Sequence, residues 1–194
     1  MTQAQNIFAL VEELARHGVT TFCIAPGSRS TPIVLAAVEN PKIDVLTFHD
    51  ERVAGFFAVG LARAGVVPVV VTTSGTAVAN LLPSAVEANA DRLAVIYVTA
   101  DRPASAHGRG ANQTIEQEEI FSTHVAKSVT LANPKPYEML ASVSDTVLHG
   151  VENRRPVHLN VQLVKPLEEM AHAPPAGIDA WYESGAPLLN PRPS

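Results

Sequence analysis

Apolar side chains at Ile7, Leu10, Val11 and Leu14 fall on one helical stripe. The stripe stops at Arg16-His17-Gly18, a basic last turn followed by a glycine that can end a helix left-handed. Six near-continuous apolar runs follow, over 21–25, 45–48, 66–73, 93–99, 125–131 and 157–161. Unbroken rather than alternating hydrophobicity predicts strands buried on both faces, as in parallel sheets. Helical periodicity occupies the intervals 33–39, 53–64, 78–91 and 137–151, the last with Leu140, Val143, Val147 and Val151 on one face. The alternation predicts an α/β fold: an open, mainly parallel sheet of about six strands with helices on both faces.

Beyond Val161 the pattern gives way to Pro166, Pro174, Pro175, Gly177, Pro187, Pro191 and Pro193. This predicts an α/β domain over 1–166 and a proline-rich linker or tail over 167–194. No internal repeat or low-complexity tract interrupts that division.

Composition narrows the function classes. A chain of 194 residues with 46% hydrophobic content can bury one substantial core. The formal charge of −5 is interspersed rather than blocked, which argues against a nucleic-acid partner. The single cysteine, Cys23, lies in an apolar run and reads as a buried strand residue in a reducing compartment. No secretory leader pattern and no apolar run of the ~20 residues a membrane helix needs is present. The expected location is the cytoplasm, without membrane contact.

In sheets of this class ligands gather where strands end and helices begin, because the loops open into a crevice and helix N-termini offer unpaired N–H groups. The first such junction is Ala25-Pro26-Gly27-Ser28-Arg29-Ser30-Thr31-Pro32. Gly27 permits close backbone approach, Ser30, Thr31 and Pro32 suit a cap and tight turn, and Arg29 offers a fork for a carboxylate. Ser28 has Pro26 and Ser30 where a strained hydrolase nucleophile has glycines, which argues against serine hydrolysis.

At the second junction, Phe48-His49-Asp50-Glu51-Arg52, ionisable residues precede an apolar helix over 53–60. First-turn acids commonly only complement the helix dipole. Here the apolar surroundings are expected to desolvate Glu51 partly and make it a usable proton donor or acceptor. No second histidine stands three or four residues from His49, so His49 reads as structural and no metal site is expected within the chain. The third junction, Val71-Thr72-Thr73-Ser74-Gly75-Thr76-Ala77-Val78-Ala79-Asn80, repeats the strand, glycine, hydroxyl, helix order.

The fourth junction begins at Asp101-Arg102-Pro103 and runs through His107-Gly108-Arg109-Gly110 to Asn112-Gln113, a length and glycine content expected of a mobile active-site loop. Arg102 has two readings, a carboxylate binder or a surface arginine paired with Asp101. Asn112 and Gln113 have two as well, ligand contacts or loop-stabilising amides.

Taken in register, Pro26 to Pro32, Asp50-Glu51-Arg52, Thr73 to Asn80, Ala100-Asp101-Arg102-Pro103 and Gly110-Ala111-Asn112-Gln113 resemble one family. It is the N-terminal, pyrimidine-binding domain of the thiamine-diphosphate-dependent synthases that make 2-succinyl-5-enolpyruvyl-6-hydroxy-3-cyclohexene-1-carboxylate in menaquinone biosynthesis. The resemblance runs to about Pro166 and includes Val157-His158-Leu159-Asn160-Val161 as the last strand. It implies a transferase that decarboxylates 2-oxoglutarate and adds the succinyl unit to isochorismate, the cofactor acting as electron sink. It also implies that Glu51 hydrogen-bonds N1′ of the aminopyrimidine and favours its imino tautomer. Pro26, Gly27, Thr76 and Gln113 would lie near the pyrimidine, and Ser28, Arg29, Arg102, Asn112 and Gln113 would face the acidic substrates.

The family holds the diphosphate through Mg2+ on a separate domain with a Gly-Asp-Gly sequence, which this chain lacks. In the family the glutamate of one subunit serves cofactor bound by its neighbour, so a homodimer or tetramer is implied. The chain is therefore expected to be one piece of a longer or split enzyme, inactive alone. A stand-alone sensor of small carboxylates and an assembly module are the alternatives.

Overall fold

The computed structural model describes residues 2–190. Helix α1 (Gln3–Arg16) opens on a capping box in which Thr2 and Gln5 each bond the other's backbone N–H. It ends where Gly18 adopts a φ of +77°. Then follow β1 (Thr21–Ile24), a 3-10 turn at Ser28–Ser30, α2 (Thr31–Glu39), β2 (Asp44–Thr47), α3 (Glu51–Arg63), β3 (Pro68–Thr72), α4 (Thr76–Ala79), α5 (Leu82–Ala90) and β4 (Ile96–Asp101). A long irregular segment leads to β5 (Lys127–Leu131), α6 (Pro136–Asn153), β6 (Val157–Gln162) and α7 (Asp179–Ser184).

The six strands form one parallel sheet in the order β2-β1-β3-β4-β6-β5. Their period of two divides each central strand between two cores. Phe22, Ile24, Val69, Val71, Ile96 and Val98 pack with α1, α2 and α6. Cys23, Val70 and Tyr97 turn to the opposite face, against Ala54, Ala58 and Ala85 of α3 and α5. Burial there pushes the Cys23 thiol up to about 11, which leaves it an inert hydrophobe.

Two expectations need correction. The apolar runs at β2 and β5 are not buried on both faces: β2 has no buried residue and β5 only Leu131. These are the sheet edges, where a strand has one neighbour and incomplete helix cover. The helix expected over 78–91 is also divided in two, because Pro83 lacks an N–H and in a continuous helix its ring would strike the Ala79 carbonyl. It sits instead in the first turn of α5.

The chain leaves β1 for the edge strand β2 and crosses back to β3, with α2 and α3 on opposite faces. That reversal opens a crevice at the C-terminal ends of β1 and β3.

The described part of the proline-rich segment lies against the domain. Leu167, Ile178 and Trp181 are buried in the α1 layer. Trp181 Nε1 donates to Glu13 Oε2 at 2.6 Å, and the Leu188 N–H to Glu13 Oε1 at 2.8 Å. The Arg16 guanidinium stacks 4.0 Å over the Trp181 ring and donates to the carbonyls of Trp181, Tyr182 and Ala186. It thereby satisfies the C-terminal end of α7. Among the described residues no helix is long and apolar enough to cross a membrane.

Candidate active site

Asp50 is the N-cap of α3, accepting from the Arg52 N–H at 2.8 Å, and its other oxygen pairs with the Arg52 guanidinium at 2.5 Å. The bonds from Arg52 hold its carboxyl down to about 2. With both neighbours paired to each other, Glu51 stands alone at the first helical position. Its Oε2 accepts from Asn80 Nδ2 at 3.0 Å. Its Oε1 makes no hydrogen bond among the described residues.

This chain removes Glu51 from solvent only in part. Ala54, Gly55, Ala58 and Val59 form the stripe that α3 buries, while Val53 and Phe56 remain 56% and 48% exposed. An apolar helix has more than one greasy side, and only one of them meets the sheet. Glu51 is half-buried beside an open apolar face that includes the Phe48–Phe57 ring pair, 5.0 Å between centroids.

On the other side of the crevice, Arg29 is only 8% exposed and its Nη1 donates to the Leu163 carbonyl at 2.6 Å. Burial, and next the nearby Arg102 guanidinium, lower its pKa, while Asp101 acts in the opposite direction. Asp101 is fully buried and spent: Oδ1 accepts the Arg102 backbone N–H at 2.7 Å and Oδ2 accepts Asn160 Nδ2 at 2.9 Å. Its partner at Arg102 is thus the main chain, and no ion pair joins the two side chains among the described residues. Arg102 Nε is buried with no partner. Two like charges in electrostatic contact, one with an unspent buried donor, form a site that an anion would complete.

The loops hold these groups by close packing. Gly27 has an extended backbone, but a Cβ on it would lie 2.4 Å from Thr73 Cβ, so the glycine is required where the first and third junctions touch. Ser30 Oγ donates to the Gly27 carbonyl at 2.9 Å, the tight-turn role expected of it. Gly75 has φ +81° and ψ −140°, and its added Cβ would lie 3.0 Å from the Gln113 backbone. Ser74 Oγ donates to the Gln113 carbonyl at 2.8 Å, and Gln113 itself is left-handed at φ 51°.

Pro26, Ser28, Thr76, Asn112 and Gln113 are exposed on this rim, and Gly27 and Arg102 are half-buried in it. The strand ends bring the predicted residues to one edge of the sheet. No contact joins Glu51 directly to Arg29 or Arg102 among the described residues. His49, read as structural, is exposed and makes no hydrogen bond there.

Sequence reasoning gave no role to Asn80, Gln117 or Asn160. Asn160 and His158 carry a legible signal, polar residues alternating with Val157, Leu159 and Val161 in a buried strand. They sit under the segment between β4 and β5, with Phe121 edge-on to His158 at 4.8 Å. Burial pushes His158 down to about 3, so it is a neutral imidazole bonded to Thr99 and Ser128. Gln117 gives no signal, standing among Glu116, Glu118 and Glu119.

No group of three or more histidine, cysteine, aspartate or glutamate residues that could hold a metal ion occurs among the described residues. A concavity of about 340 Å³ lined by Glu118, Phe121, Lys127 and Ser128 lies away from this rim.

Residues 7–120 match the family described as thiamine pyrophosphate enzyme, N-terminal TPP binding domain. The chain is also similar to curated proteins named 2-succinyl-5-enolpyruvyl-6-hydroxy-3-cyclohexene-1-carboxylate synthase. It is 47% identical over 180 residues to that of Chlorobium phaeovibrioides, covering 90% of this chain and 30% of the relative. It is 46% identical over 188 residues to that of Chlorobaculum tepidum, covering 92% and 32%. To that of Vibrio atlanticus it is 46% identical over 187 residues, covering 91% and 33%. The chain thus spans about a third of the length of the curated relatives it matches.

Proposed function

We propose, from the premise that the chain belongs to the thiamine pyrophosphate enzyme N-terminal TPP binding domain family, that it is the pyrimidine-binding part of a carbon-carbon bond-forming synthase. The reaction is decarboxylation of 2-oxoglutarate and addition of the succinyl unit to isochorismate, in the cytoplasm, on the route to menaquinone. When bound, thiamine diphosphate supplies the electron sink for that decarboxylation and transfer. Glu51 holds a proton at N1′ of the aminopyrimidine through its unoccupied Oε1, with Asn80 fixing the other oxygen. Pro26, Gly27, Thr76 and Gln113 line the ring. Arg29 and Arg102 bind substrate carboxylates, helped by Ser28, Asn112 and Gln113.

The observation that carries this reading is the orphaned Arg102 Nε beside the buried Arg29, on the rim that also bears Glu51. The donor set for Mg2+ and the diphosphate lies on a different stretch of polypeptide. The exposed apolar face of α3 is covered by a second copy in a homodimer or tetramer, which completes the partial burial of Glu51.

The test is an assay of the full polypeptide that carries this domain. With Mg2+, thiamine diphosphate and isochorismate it is expected to release carbon dioxide from 2-oxoglutarate. The 194-residue chain alone is expected to release none. Failure of the full protein overturns the reaction, and turnover by the chain alone overturns the division of the site.

A further inference from the structure

Gln117 is fully buried, although it belongs to an irregular stretch between β4 and β5 in which few residues are buried. Its amide is spent on three different elements. Oε1 accepts the Gly75 N–H at 3.1 Å, and Nε2 donates to the Ala100 carbonyl at 3.0 Å and to Asn160 Oδ1 at 2.7 Å. Asn160 passes the constraint on, donating to Asp101 Oδ2, and Asp101 Oδ1 in turn holds the Arg102 N–H.

Each end of this chain of bonds reaches a different half of the rim. Gly75 is the residue from which Thr76 and α4 spring, and α4 leads to Asn80 and its bond to Glu51. Arg102 is the anion-facing guanidinium. Between them, the backbone of Gln113 lies against Gly75 and is held by Ser74. Only a primary amide of this length offers one acceptor and two donor hydrogens to these three partners. A hydrocarbon side chain would leave a backbone N–H and a carbonyl buried without these partners, and the Asn160 amide oxygen with the Thr99 hydroxyl alone.

We infer that Gln117 is a positioning residue that sets the spacing between the pyrimidine side of the site, at Gly75 and Thr76, and the carboxylate side, at Arg102. It acts through the Gly75 N–H and through Asn160 and Asp101, and touches neither cofactor nor substrate. The inference rests on the reading of the rim as a thiamine diphosphate site. It adds that the two halves are registered by one buried amide in the loop that carries Asn112 and Gln113.

The experiment uses the full polypeptide, comparing wild type with Gln117→Met, Gln117→Glu and the control Ser144→Ala. Met conserves volume and deletes all three bonds. Glu keeps an acceptor for Gly75 and loses both donors. Ser144 serves the packing of α6 on His17 at the opposite end of the sheet, so its loss reports destabilisation alone. Well below each melting temperature, both Gln117 variants should raise the KM for 2-oxoglutarate about tenfold and lower kcat, as a displacement of order 1 Å does. Ser144→Ala should stay within about twofold for both constants. Gln117 variants as close to wild type as the control overturn the inference while leaving the proposed reaction intact. A wild type without cofactor-dependent turnover removes the reading and the inference together. If neither Gln117 variant folds, hydrogen exchange of the wild-type peptide containing Gly75 decides: protection approaching that of the core strands supports the bond, and exchange at the rate of a free loop overturns it.

Discussion

Asn80, the C-cap of α4, donates to Glu51 at the start of α3 over 3.0 Å, so the candidate proton carrier is oriented by a different strand junction from its own. In the full polypeptide Glu51→Gln should lower turnover by roughly 10²–10⁴ with an unchanged melting temperature, because it removes the shared proton and almost no volume. Asn80→Ala should cost less, since it frees the carboxylate without deleting it. Near-normal carbon dioxide release by Glu51→Gln reduces Glu51 to a dipole partner of α3.

The arginine pair predicts anion-dependent stability. Sulfate or 2-oxoglutarate at about ten times its Kd should stabilise the 194-residue chain by about 1.4 kcal/mol. A bound anion would relieve the repulsion between Arg29 and Arg102 and occupy the orphaned nitrogen. Arg102→Gln should abolish that increment in thermal melts. An equal increment in the variant places the anion elsewhere.

Glycine substitutions separate backbone strain from crowding. Gly75→Ala should cost roughly 1–3 kcal/mol for its backbone angles and more for the contact with Gln113. Gly108→Ala, also at positive φ but with nothing within 4 Å of an added Cβ, should cost only the left-handed strain of roughly 1–2 kcal/mol. Urea midpoints check the order, and equal costs refute the contact.

The clasp around Trp181 should open in acid. Burial pushes the Glu13 carboxyl up, but bonds from His17, Leu188, Trp181 and Ser144 outweigh it and hold the group below its ordinary value of 4.5. A depressed carboxyl contributes its full stability above the unfolded value and loses it as pH falls through the folded one. Trp181, the sole tryptophan, should keep its buried emission down to that value and shift red below it. Glu13→Gln should show the shifted spectrum at neutral pH.

Much of this was legible in the chain. The central strands and α1 follow from apolar runs and a helical stripe, because double burial and amphipathicity are local patterns. The placement of Glu51, Arg29 and Arg102 just beyond strand ends could be read from the sequence, because each comes shortly after an apolar run. Exposure of Val53 and Phe56 was not legible, since an apolar residue looks the same whether it meets its own core or another surface. Gln117 was hidden for a different reason: its three partners are 17, 42 and 43 residues away, and no local period encodes such contacts. Trp181 was masked by prolines that break periodicity without preventing docking on α1.

The contact of Gly27 with Thr73 ties two positions into one unit of inheritance. A side chain at 27 is admissible only if 73 has already shrunk, and a bulkier residue at 73 only while 27 stays bare. Among relatives the two sites should drift as a correlated couple, and the order in which they change should be constrained, since one of the two single-step intermediates carries the collision.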